Sequence, residues 1–253
     1  MERSDTRNTA PKGVLPSGGR GDGNRFGARR SSPGSFTEGL VALVRYPIEA
    51  LARWVLDLHI TGRENLPDGA YVMAANHLSF IDPVMVTLAA RRNVRYLAVA
   101  SLFDQHHLFD RLITFFGAIP TPRDRLPIGA MRTAIKELQA GRPLGLFPEG
   151  RRVSHWRETP AERGAAWLAL ITGSPLVPVA MHGTQGTLSI AHRSFKRASV
   201  RIWVEEPLDP DDFLAHADPL EAMMAAWAEA VGRRLDPWWE NAAADSLLRD
   251  TDH

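Results

Sequence analysis

Tyr71-Val72-Met73-Ala74-Ala75-Asn76-His77-Leu78-Ser79-Phe80-Ile81-Asp82-Pro83 reads as an unbroken apolar run, a short loop with polar residues, and a proline. The run at 71–75 has the length and composition of a buried strand. From 83 to 92 the apolar residues take up helical spacing. Asn76 to Pro83 therefore lies at the carboxyl end of a strand and the head of a helix, where open α/β sheets place their ligand sites.

Working outward, apolar segments at 94–100, 117–121, 143–147, 175–181 and 200–204 also read as strands. Helical patterns at 103–116, 128–140 and 161–172 alternate with them, and a last one covers 220–235. Such alternation predicts an α/β fold with a largely buried sheet flanked by helices. Upstream, Leu40, Val41, Leu43, Val44, Ile48, Leu51, Trp54, Val55 and Leu58 recur at three- and four-residue spacing with charges between them. That predicts an amphipathic N-terminal helix, either packed on the domain or lying in a membrane interface.

Residues 1–36 hold seven of the chain's 20 glycines, carry a net +4 and show no hydrophobic periodicity. They are expected to be a disordered basic tail. The other 217 residues carry −3, so the field of a nucleic-acid-binding protein is absent and no nucleic-acid partner is expected. The 253 residues include no cysteine, which excludes a disulfide scaffold, a thiolate metal site and a cysteine nucleophile. The histidines outside the loop show no metal-like spacing, and no metal is expected. Residues 164–192 contain no Asp, Glu, Lys or Arg, but Gly173, Pro175, Pro178 and Gly183 interrupt them. No 20-residue spanning helix fits there.

Four segments carry chemistry-bearing residues at predicted strand ends. His77 can take a proton near neutral pH, and Asp82 can accept its other ring N–H across a tight loop. Equally, Asp82 before Pro83 suits a helix N-cap, and His77 suits a strand-end histidine held by a backbone carbonyl. In Phe147-Pro148-Glu149-Gly150-Arg151-Arg152 the glycine permits close approach and the arginines can grip a phosphate. A solvated turn is the alternative. Arg123 closes the 117–121 strand. Pro178 stands inside an apolar strand where it cannot donate to the ladder, which predicts an edge, a bulge or a functional departure.

Together these segments resemble the glycerolipid acyltransferase family. Asn76, His77 and Asp82 match its His-x4-Asp box, Arg123 its second block, Phe147 to Arg152 its Phe-Pro-Glu-Gly block, and Pro178 its fourth. The resemblance covers about residues 40–205. It implies a mixed sheet and transfer of a fatty acyl group from acyl-CoA or acyl carrier protein to a lysophospholipid hydroxyl, first of all that of 1-acyl-sn-glycerol 3-phosphate. No cofactor beyond that co-substrate is implied. His77 would be the general base and Asp82 its orienting partner. Asn76, Arg123, Phe147, Pro148, Glu149, Gly150, Arg151, Arg152 and Pro178 would bind substrate. Pro120, Thr121, Pro122 and the Arg151-Arg152-Val153 run depart from the usual blocks, so glycerol 3-phosphate, another lysophospholipid or a glycolipid stay open as acceptors. A hydrolase would call for a nucleophile elbow or a metal site, and a non-catalytic lipid-binding relative for loss of His77 or Asp82. The expected organisation is a tail at 1–36, a membrane-interfacial helix at 37–60, an acyltransferase domain at 61–240 and a C-terminal tail at 241–253. The expected location is the cytoplasmic face of the membrane, peripheral or monotopic.

Overall fold

The computed structural model describes residues 36–99, 118–121, 128–187 and 197–250. The 1–36 tail up to its last residue, the 103–116 helix and Arg123 lie outside the described residues. Helix α1 is Phe36–Leu56. Then come β1 (His59–Thr61), β2 (Val72–Ala75), α2 (Asp82–Ala90), β3 (Arg95–Val99), β4 (Ala118–Thr121) and α3 (Ile128–Gln139). The chain continues through β5 (Leu144–Leu146), α4 (Gly164–Thr172), β6 (Leu176–His182), β7 (Arg201–Val204) and α5 (Pro219–Asp250).

The seven strands form one mixed sheet in the order β1-β7-β6-β2-β5-β3-β4. The five from β6 to β4 run parallel to one another, while β7 joins β6 antiparallel and β1 follows β7. Alternate residues of β2 feed two cores. Tyr71, Met73 and Ala75 pack with α1 and α2, whereas Val72 and Ala74 pack with α4 and α5. Burial on both faces is why the strands read as continuous apolar runs rather than alternating ones. Because β5 and β6 flank β2 in parallel register, their carboxyl ends and the loops that follow emerge beside the loop after Ala75.

Two features differ from the sequence reading, and a third decides between the alternatives it offered. Strand β1 was not visible in the pattern, being three residues long with both outer residues exposed at a sheet edge. Helix α5 runs past 235 to Asp250, through Pro237, so the stretch expected as a tail from 241 is helical as far as that residue. Asp236, one residue before that proline, accepts the Trp156 indole N–H at 2.8 Å and the Arg157 guanidinium at 2.7 Å, contacts invisible to a local pattern. Pro178, finally, is in a central strand, not at an edge. Its carbonyl accepts from Glu205 N–H, whereas Leu176 bridges Leu208, so two steps along β6 answer three along the facing chain. That is a bulge, and the absent proline N–H falls on the bulged side.

Candidate active site

The loop after β2 is built around Asp82. The carboxylate reaches back along the chain, and its Oδ2 accepts the N–H groups of Leu78 and Ser79, each at 2.6 Å. The same oxygen takes the His77 Nδ1 contact at 2.8 Å. Asp82 thus opens α2 without acting as its N-cap, which is Ile81. Neither structural alternative, a plain helix cap or a histidine held by a backbone carbonyl, describes this geometry. A carboxylate on Nδ1 fixes the tautomer with the proton there, leaving Nε2 with the lone pair. Asp82 is fully buried, whereas the His77 side chain keeps 16% of its surface open.

The His77 main chain is clamped on both sides. Its N–H donates to Glu149 Oε2 at 2.6 Å, and its carbonyl accepts from Val153 N–H at 2.9 Å. These bonds tie the 147–153 loop after β5 to the loop after β2. The Asn76 amide closes the other side by donating to Met181 O at 2.9 Å and accepting Met181 N–H at 2.7 Å. It continues the β2–β6 ladder where the backbone peels away. Asn76 is fully buried with its amide nitrogen and oxygen both bonded to Met181, so it builds the loop.

The imidazole lies on the Phe147 ring, with centroids 4.0 Å apart and planes 19° from parallel. Phe147 in turn stacks on Tyr96, whose hydroxyl pairs with Thr87 Oγ1 at 3.0 Å. Gly145 makes room for that ring, since a Cβ there would stand 2.3 Å from Tyr96. Gly150 has φ +66° and turns the loop back, its N–H donating to Phe147 O at 2.9 Å. Pro148 accepts Glu162 N–H through its carbonyl, which fastens the far end of the turn.

The electrostatics divide the loop residues. Burial pushes the Glu149 carboxyl up to about 8; the His77 N–H works against this, and Asp82 and Glu158 add to it. At pH 7 Glu149 is therefore mostly neutral. Arg151 is exposed and pairs with Glu158 at 3.3 Å. Arg152 is half-buried with its guanidinium carbon 3.3 Å above the centre of the Phe80 ring. Burial lowers its pKa, and the Asp82 charge opposes that. Asp82 Oδ1, Glu149 Oε1 and Arg152 Nη1 are all buried with no hydrogen-bond partner among the described residues. Among the described residues no cluster of His, Asp and Glu has the makings of a metal site.

Sequence reasoning missed Phe80 and Tyr96. Phe80 had a usable signal, as the lone ring inside the His-to-Asp loop. Tyr96 had none, because its link to His77 runs through Phe147. Pro178 lies buried in β6, at the level of Ala74, behind the loops rather than in them.

Among the described residues His77 Nε2 has no partner and Arg152 forms no ion pair with a carboxylate, an arrangement that can take up a proton beside a group able to bind an anion. The acyltransferase family model matches residues 57–182, which span β1 to the end of β6. A 1-acyl-sn-glycerol-3-phosphate acyltransferase of Bacillus subtilis is 31% identical over 178 residues, covering 70% of this chain and 85% of that protein. One from Saccharomyces cerevisiae is 26% identical over 168 residues, and the match spans 62% of this chain but 53% of the yeast protein. In fold, the 1-acyl-sn-glycerophosphate acyltransferase of Thermotoga maritima superposes with a TM-score of 0.62 at 22% identity, over 77% of this chain and 79% of that one. The protein belongs to the acyltransferase family.

Proposed function

We propose that this acyltransferase moves a fatty acyl group from a thioester, acyl-CoA or acyl carrier protein, to the free hydroxyl of 1-acyl-sn-glycerol 3-phosphate, giving phosphatidate. The observation that carries the reading is the His77–Asp82 pair, whose Nε2 has no partner among the described residues, in a loop whose Phe80 ring carries the Arg152 guanidinium. His77 Nε2 takes the hydroxyl proton as the oxygen attacks the thioester carbonyl carbon. Asp82 stabilises the imidazolium that forms. The tetrahedral intermediate collapses with cleavage of the C–S bond, and the thiolate leaves with the proton returned from Nε2. No acyl-enzyme is required. Arg152 and Glu149 Oε1 hold the glycerol phosphate, with Arg123 contributing from the second block and Arg151 from the rim.

Membrane attachment through α1 belongs to the same reading. Leu43, Tyr46, Leu51 and Trp54 lie exposed on the side of α1 away from Ala52 and Leu56, which are buried in the core. An exposed apolar stripe of this kind suits an interfacial helix. The end of α1 is tied by Arg197 to the Trp54 carbonyl at 3.1 Å, in the segment leading to β7. Since β7 starts opposite His182, this is the sheet end that carries His77. Among the described residues no helix is long and apolar enough to cross a membrane, so attachment would be peripheral or monotopic. The thioester donors place the working face on the cytoplasmic side.

The test is transfer from oleoyl-CoA and oleoyl carrier protein to a panel holding lysophosphatidate, glycerol 3-phosphate, other lysophospholipids and a glycolipid. His77→Ala is run beside each. Phosphatidate formed only by the unmodified protein supports the reading. Activity confined to another acceptor overturns the acceptor, and equal activity in His77→Ala overturns the mechanism.

A further inference from the structure

The arginines around this site are held in two different ways. Arg151 pairs with Glu158, Arg157 with Asp236, and Arg163 with Asp218 and Glu221. Each of those guanidiniums meets an opposite charge and spends donors on it. Arg152 lies on the ring of Phe80, and its Nη1 is buried without a hydrogen-bond partner among the described residues. Phe80 is itself unusual: Leu78, Ser79 and Asp82 around it are fully buried, yet Phe80 is 46% exposed. A large apolar side chain left half in solvent in an otherwise closed loop has little core-packing value. The only ring contact among the described residues that involves it is the guanidinium above its face.

We propose that Phe80 is a positioning residue for the acceptor's phosphate: its ring holds the Arg152 guanidinium in place, in the role a carboxylate fills elsewhere, so that charge and N–H donors remain for the ligand. The inference rests on the assignment of Arg152 to the phosphate. Its physical basis is geometric. A guanidinium stacked face-on is attracted by the ring quadrupole, while its N–H groups radiate in the plane and stay free for a bidentate grip. A carboxylate partner would occupy that same edge. A guanidinium keeps its charge even when half-buried, where charge-assisted bonds to a phosphate are strong.

The experiment compares the full-length protein with Phe80→Leu and Phe80→Tyr. Leu keeps an apolar side chain and removes the ring; Tyr keeps the ring. Because Phe80 is half exposed, all three are expected to fold, with thermal melts as the check. Binding of 1-oleoylglycerol 3-phosphate is measured in detergent micelles without acyl donor, so the readout does not depend on turnover. Loss of a cation–π contact should weaken binding in Phe80→Leu by about 3- to 30-fold. Phe80→Tyr should stay within about twofold of the unmodified protein. Monooleoylglycerol, which lacks the phosphate, should bind all three alike. In steady state the Leu variant's defect should fall on the KM for the phosphate acceptor. Unchanged phosphate-ligand binding in Phe80→Leu, equal losses in Leu and Tyr, or an equal loss for monooleoylglycerol each overturns the proposal. Failure of the functional reading itself shows separately, as absence of transfer by the unmodified protein.

Discussion

Replacing Glu149 with Gln isolates the most displaced carboxyl of the site. Burial holds this group at about 8 instead of the ordinary 4.5, so the folded protein keeps a proton that the unfolded chain releases. The sign follows from linkage. A raised carboxyl contributes stability that is complete below pH 4.5 and is lost as the pH climbs to about 8. At 1.36 kcal/mol per pH unit, the whole displacement is worth about 5 kcal/mol. Roughly 3 to 4 kcal/mol of it is lost between pH 5 and pH 8. Gln keeps a carbonyl oxygen to accept the His77 N–H but does not titrate. Urea unfolding, followed by tryptophan fluorescence across pH 5 to 9 for both proteins, reads the difference. The unfolding free energy of the native protein minus that of Glu149→Gln should fall with rising pH by about that amount, then level off above pH 8. Two parallel pH profiles would refute the reasoning, because they would mean the buried carboxyl ionises with its ordinary affinity.

His77→Ala should lower kcat by at least about 10²–10⁴, read in steady state, while circular dichroism stays unchanged. Asp82→Asn should cost a comparable factor, about 10⁴ where an orienting carboxylate has been lost from a triad, with little change in acceptor KM. The KM for a phosphate-bearing acceptor should rise above pH 8 as Glu149 ionises beside it, and this rise should vanish in Glu149→Gln. Trp54→Glu combined with Leu43→Glu should abolish sedimentation with anionic vesicles and leave the melting temperature alone, since both side chains are more than two-thirds exposed.

How much of this was legible in the sequence depends on the range over which each signal acts. The strands of the parallel block were readable because burial on both faces makes them uniformly apolar, and their loops were readable because glycine, proline and charge follow at once. Strand β1 was not, since three residues at an edge take their pairing from β7, about 140 positions away. The far half of α5 was hidden by Pro237, a local stop signal overruled by packing and by the Asp236 contacts. His77 and Asp82 were found as a pair because both lie in one loop. The division of labour between Asn76, which braces the loop, and Glu149, which holds the His77 backbone, needed the register of β6 and β5 against β2.

Arg151 and Arg152 mark the limit most plainly. Adjacent and identical in type, they were equal candidates for the phosphate. The fold separates them by partner: Glu158, seven residues on, takes Arg151 at the surface, while Phe80, from a different loop, receives Arg152 on its ring. That second contact exists only because β5 lies beside β2 in parallel, so that loops some 70 residues apart leave the sheet side by side. The same adjacency lets Glu149 reach the His77 N–H and Phe147 reach its ring. A single strand pairing therefore holds the backbone of the base, supports its ring and brings one guanidinium onto an aromatic ring. A side chain at Gly145 would strike Tyr96, the ring that Phe147 stacks on, and so would disturb the support under the His77 imidazole from the far side of the sheet pairing.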